Sequence, residues 1–157
     1  RSFHETFLQP TDDEIAHPYL TYDNVLVWRA LQLLADWRPT QRGSLLAEAD
    51  AVRAAIFTHC VKKDADGQPY FTWSVDLAGH HDVNDEPPGS LQLLPYYGFC
   101  ERTDAIWQNT VRMIRSADYK FSFAGKPIAE IGCPHAPWPS LWSCGAGAAR
   151  TDDHADG

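Results

Sequence analysis

The sequence predicts an all-α fold, an α/α toroid of the (α/α)6 type, with these 157 residues covering only part of the ring. Three observations predict it. A helix apolar on nearly every face is followed by an ordinary amphipathic one, the same inner–outer alternation starts again downstream, and long polar loops join the units. Six such hairpins need far more residues than 157, so a small irregular helical domain is the competing expectation. Residues 1–150 are assigned to the partial barrel and 151–157, TDDHADG, to a frayed tail.

Residues 23–37, DNVLVWRALQLLADW, are polar between their ends only at Arg29, Gln32 and Asp36. Those three share one narrow stripe of a helix, which predicts burial of the remaining faces. Asp23 or Asn24 is the expected N-cap, and Pro39 the stop. A second helix over 44–60 carries Leu45, Ala49, Val52 and Ile56 on one face and places Glu48, Asp50 and Arg53 elsewhere. Asp64-Ala65-Asp66-Gly67 follows it as a turn. Residues 69–75 are short and β-like and lead into a polar loop over 76–86. After Pro87-Pro88, the apolar run 91–99 is expected to form a second inner helix, shortened by Pro95. Thr103-Asp104 caps an amphipathic helix to Arg115 with Trp107, Val111 and Ile114 on one side. Residues 137–149 are expected to begin a third inner helix.

Composition narrows the functions. Hydrophobic residues at 44% and charged residues at 22% describe a globular chain rather than a disordered one. Net charge is −8 and no basic run occurs, which argues against nucleic acid and anionic membrane as partners. No apolar stretch is long enough to cross a bilayer. Cys60, Cys100, Cys133 and Cys144 form no C-x-x-C pair, so free buried thiols are expected, and the compartment stays open with a soluble, cytoplasmic location favoured. Six tryptophans and six tyrosines in an acidic chain suit a neutral polar ligand with apolar ring faces.

Three loops could carry chemistry. The first, Pro10-Thr11-Asp12-Asp13-Glu14, leads to an inner helix through Tyr19 and Tyr22. The second runs from Asp76 through Gly79-His80-His81-Asp82 to Asn84-Asp85-Glu86. The third is Gly132-Cys133-Pro134-His135-Ala136-Pro137-Trp138-Pro139. Each precedes an expected inner helix, so all three would converge on one mouth of a toroid. Carboxylates for hydroxyls and acid/base work, with aromatics for stacking, compose a sugar cleft. The bland alternative is a set of solvated acidic loops with capping acids. A metal site using His80, His81, Asp82 and Asp85 competes for the same residues, although adjacent histidines on an extended segment point to opposite sides. No cofactor is expected, and no G-x-S-x-G supports serine chemistry.

At these loops the chain resembles glycoside hydrolase family 125, the metal-independent exo-α-1,6-mannosidases with an (α/α)6 barrel. Pro10-Thr11-Asp12-Asp13 is similar to the family's Pro-Ser-Asp-Asp, and Tyr22-Asp23-Asn24 stands where the family has Ser-Asn. Ser74-Val75-Asp76-Leu77-Ala78-Gly79 resembles Glu-Val-Asp-Gly-Phe-Gly. Residues 84–98, from Asn84-Asp85-Glu86 to Pro95-Tyr96-Tyr97-Gly98, match a 15-residue family segment without a gap. Gly132-Cys133-Pro134-His135 with Trp138-Pro139 resembles Gly-Ser-Pro-His and Trp-Pro. The resemblance implies an inverting glycosidase acting on a mannoside or related glycan, with its two carboxyl groups about 6.5–9.5 Å apart.

Of the matched positions, Asp85 is the expected general acid. Asp12, Asp13, Asn24, Asp76, Glu86, His135 and Trp138 are the expected substrate-binding residues. The first Asp of the family's Asp-Asp pair is Asn84 here. The family's base is a Glu in a His-Glu-Ser motif near its C-terminal end. His4-Glu5-Thr6 looks locally alike but stands at the wrong end of the order, so Glu5 is at best a rim residue. A non-catalytic or degenerate carbohydrate-binding helical module is therefore the alternative.

Overall fold

The computed structural model describes residues 2–86 and 89–138, so the expected third inner helix beyond Trp138 and the 151–157 tail lie outside the described residues. The first helix, α1 (Thr21–Trp37), follows directly on a two-residue strand, β1 (Tyr19–Leu20). It begins two residues before the expected start, and neither Asp23 nor Asn24 caps it. Leu20 holds the N-cap position and no side chain accepts from the first turn. The sheet provides the partner instead, because Thr21 N–H donates to the Trp73 carbonyl at 2.9 Å. The stop is as expected: Arg38 terminates α1, and Pro39 opens a single 3-10 turn.

That turn folds α2 (Arg42–His59) back on α1, and the pair forms the largest helix–helix contact of the chain. Ala49, Val52 and Ile56 are buried between them, on the face their spacing predicted. The expected burial of α1 on nearly all sides is corrected. Among the described residues α1 buries Tyr22, Val25, Trp28 and Ala35 but leaves Leu26, Leu33, Leu34 and Trp37 exposed, Trp37 at 81%.

An all-α chain is also corrected. Residues 61–82 form strands of two or three residues, of which the β-like reading of 69–75 covers Pro69–Phe71 and Ser74–Val75 but not Val61–Lys63 or His81–Asp82. The strands β2 (Val61–Lys63) and β3 (Pro69–Phe71) pair antiparallel across the Asp64–Gly67 turn, where Gly67 takes φ +78°. The strand β4 (Ser74–Val75) lies between β1 and β5 (His81–Asp82), antiparallel to both. The physical reason is local. A run of β-branched and aromatic residues at 70–75 fits a pleated, half-buried surface, and it completes the hydrogen bonding of β1.

The second inner helix does not form. Residues 91–99 make one 3-10 turn, Leu91–Leu93, followed by tight turns through Pro95 and through Gly98 at φ +73°. Their apolar side chains are still used, with Leu91, Leu94 and Phe99 buried. The last described helix, α3 (Ala105–Ile114), is the one its signals specified. Asp104 accepts from Ile106 N–H at 2.9 Å and Trp107 N–H at 3.1 Å, and Trp107, Val111 and Ile114 are buried.

The core is one cluster under these elements. Trp28 meets Phe99 edge-on at 5.2 Å, and Phe71 meets Phe99 at 6.0 Å. Cys60 and Cys133 are buried free thiols and Cys100 is a half-buried one, while Cys144 lies outside the described residues. No described helix is long and apolar enough to cross a membrane.

Candidate functional site

The first and third loops meet. In the first, Gln9 N–H donates to the Asp13 carbonyl at 2.7 Å, and Asp12 takes φ +65° to close the turn. In the third, Gly132 N–H donates to the Phe121 carbonyl at 2.8 Å. A side chain at Gly132 would sit 2.7 Å from the Ala136 carbonyl oxygen, so glycine there lets the chain double back and present His135. His135 Nδ1 lies 3.0 Å from Asp13 Oδ2, and both side chains stay accessible.

The second loop joins them from beneath. Thr11 Oγ1 donates to Glu86 Oε2 at 2.6 Å, and its oxygen lies 3.4 Å from Asp13 Oδ2. Asn84 Nδ2 donates to Glu86 Oε1 at 3.0 Å, while Tyr119 OH donates to Asn84 Oδ1 at 3.0 Å. Gln9 Oε1 accepts from Trp73 Nε1 at 2.8 Å and lies 3.4 Å from Asn84 Nδ2. Three separate stretches of backbone thus share one polar seam.

Asp85 is the deepest member of that seam. It has no exposure, and three donors hold its carboxylate: Ser90 Oγ at 2.6 Å, Leu91 N–H at 2.7 Å and Gln92 Nε2 at 2.9 Å. Burial is the larger influence and pushes its carboxyl up to about 6 against those donors. Gln92 in turn accepts from Arg115 at 3.1 Å, and Arg115 pairs with Glu130 at 3.2 Å.

The other expected substrate-binding positions differ in their access to solvent. Glu86 is fully buried, with both oxygens taken by Thr11 and Asn84. Asn24 is fully buried too. Its amide donates to the Leu20 and His4 carbonyls and accepts from His4 N–H, so it ties the N-terminal segment to α1. Asp76 is not joined to the seam by any hydrogen bond. It caps its own turn, accepting from Ala78 N–H, His80 N–H and His80 Nδ1, and the His80 bond draws its carboxyl down to about 2. Asp12 and Trp138 are exposed, as is Glu5. The histidine pair diverges: His80 turns to Asp76, and His81 Nε2 lies 3.1 Å from Tyr70 OH. Among the described residues no group of His, Cys, Asp and Glu side chains could hold a metal.

Beside the seam a cavity of about 500 Å³ opens between the first loop, the start of α1 and the 89–97 segment. Gln9 borders both. Tyr22 OH and Tyr97 OH meet at 3.0 Å on its wall, and burial pushes the Tyr22 phenol up. Gly89 forms the floor, where a Cβ would run into Pro10 and approach the Tyr22 ring. Tyr97, Gln9 and Tyr119 border the seam or the cavity and are not among the residues expected from the sequence. The signal available was Tyr96-Tyr97-Gly98 in the gapless segment.

Known proteins resemble this chain in sequence and in fold. Residues 2–155 match the profile of the family described as metal-independent alpha-mannosidase (GH125). The meiotically up-regulated gene 157 protein of Schizosaccharomyces pombe is 28% identical over 146 residues, which cover 85% of this chain and 28% of that protein. A solved structure superposes with a TM-score of 0.83 at 22% identity, covering 95% of this chain and 38% of the other. That structure is a metal-independent α-mannosidase of Streptococcus pneumoniae in a non-productive substrate complex with α-1,6-mannobiose. The chain therefore spans less than two fifths of the length of either relative. With nearly all of its residues matched, it belongs to glycoside hydrolase family 125.

Proposed function

We propose that this chain forms the sugar-holding part of an inverting, exo-acting glycoside hydrolase that releases mannose from α-1,6-mannosides by acid/base catalysis. The observation that carries the reading is the meeting of Asp13, Thr11, Glu86 and His135 from three loops beside a tyrosine-walled cavity. Asp13 and His135 offer an accessible acceptor and donor to sugar hydroxyls, and Tyr22 and Tyr97 offer ring surface. The α-1,6-mannobiose bound by the structural neighbour supports the substrate class.

Within this reading Asp85 changes role. A proton donor must come within about 3 Å of the glycosidic oxygen, and a carboxyl enclosed by three protein donors gives no such approach. Asp85 is instead a positioning residue that holds the 90–92 turn and, through it, Gly89 at the cavity floor. A non-catalytic carbohydrate-binding module is the second reading, favoured by Asn84 and by the enclosure of both Asp85 and Glu86.

Titrating the chain with α-1,6-mannobiose, followed by proton NMR of the anomeric signals, tests both. Binding is expected, weakened about tenfold by Asp13→Asn, which corresponds to about 1.4 kcal/mol. In a longer protein that carries the rest of the ring, release of β-mannose supports the hydrolase, and binding without release supports the module. No binding by the unaltered chain removes the site.

A further inference from the structure

The cavity carries one ionisable carboxyl that the loop seam does not use. Asp23, in the first turn of α1, lines it with Tyr22, Tyr97, Gln9 and Gly89. It is half-buried and makes no hydrogen bond or ion pair among the described residues. Among the described residues no lysine, arginine or histidine lines the space, and Asp23 is the one formally charged group on its wall.

The surroundings do not neutralise it. The two tyrosine hydroxyls are bonded to each other, and the Tyr22 phenol lies in the field of both Asp23 and Asp85. Burial raises the Asp23 carboxyl above its ordinary value. A helix N-terminus acts in the opposite direction, so loss of water is the larger effect and the carboxylate is left under-compensated. A ligand with positive charge supplies what this wall lacks, and one with negative charge adds to the repulsion.

Resting on the reading of this cavity as a sugar site, we propose that Asp23 makes it charge-selective. The cavity prefers amino sugars to neutral hexoses and disfavours phosphorylated or carboxylated ones.

The test uses the 157-residue chain near neutral pH with three probes: methyl α-mannoside, 2-amino-2-deoxymannose and mannose 6-phosphate. Calorimetry is expected to show the amino sugar about three- to fivefold tighter than the neutral one and the phosphate about three- to fivefold weaker, ratios of the order that one screened ion pair supplies. Asp23→Asn brings both ratios close to one. Asp23→Ser does the same and covers the case in which the amide disturbs the helix start. Sugar binding with the same ratios in both variants overturns this inference alone, as does equal affinity of all three probes for the unaltered chain. Failure of all three probes to bind overturns the sugar site together with it.

Discussion

Asp76 opens and Asp85 closes one polar loop, and each carboxylate holds three donors at comparable distances. Asp76 accepts from Ala78 N–H at 2.8 Å, His80 N–H at 3.0 Å and His80 Nδ1 at 2.6 Å. Asp85 accepts from Ser90, Leu91 and Gln92 at 2.6–2.9 Å. Their proton affinities nonetheless move in opposite directions, Asp76 down to about 2 through its His80 bond and Asp85 up to about 6 through burial. Donor number therefore does not decide the sign. Access to water does, because a carboxylate loses more solvation in the core than three neutral donors return.

The largest effect should come from removing the enclosed group. Asp85→Ala leaves a backbone N–H, a hydroxyl and an amide without their acceptor, and should destabilise the fold by about 3 kcal/mol. A lower urea midpoint with an unchanged slope is the expected signature. Asp85→Asn keeps one acceptor and should cost about half as much. The pH dependence distinguishes charge from shape. The folded value near 6 lies above the ordinary 3.8, so the contribution of Asp85 is greatest below about pH 4 and is lost as pH rises through 6. That slope should amount to roughly 2–3 kcal/mol and vanish in Asp85→Asn. A stability curve of the same shape in both proteins contradicts the account.

The same contrast explains what could be read in advance. Helices α2 and α3 were legible because their signals are local: a 4-3-4 apolar spacing in one and an Asp104 cap in the other. Convergence of the three loops was expected because each precedes an inner helix, and they meet although the second of those helices is only a 3-10 turn. The exposure of each acid was not, since neither Asp85 nor Glu86 differs from Asp13 in chemistry, and only the packing of Tyr119, Thr11 and Ser90 around them encloses two and leaves one open. The β-like character of 69–75 is local and legible, but its partner strands and their pairing are not. Strands of two or three residues give too few alternations to be distinguished from loop, and their pairing of residues 19–20 with 74–75 and 81–82 is set by tertiary contact. The start of α1 moved for the same cause, because its capping acceptor, the Trp73 carbonyl, is 52 positions away in sequence.

A smaller effect is expected at Asn24, another enclosed polar side chain. It joins the segment before the first loop to α1 through three hydrogen bonds of 2.8–2.9 Å. Asn24→Ala should cost roughly 2 kcal/mol, less than Asp85→Ala because no charge is involved and the His4 groups can turn to water. Faster amide exchange at His4, with protection retained in α2, locates the loss. Equal acceleration throughout the chain would mean that Asn24 supports the whole fold rather than the loop.

The smallest change belongs to the solvent-facing end of the comparison. With its folded value below 3.8, Asp76 contributes stability above about pH 4 that is lost as pH falls through 2. His80→Ala removes the bond that ranks first among the causes while leaving both backbone donors in place. The Asp76 carboxyl should then titrate appreciably nearer its ordinary value, as followed by carbon-detected NMR, with little change in the denaturation midpoint. A titration that stays near 2 would assign the shift to the Ala78 and His80 amides, and so to the turn that Leu77 closes at φ +63° rather than to the imidazole. In that case backbone geometry, and not the imidazole, would be what lowers the exposed acid, while burial still raises the enclosed one.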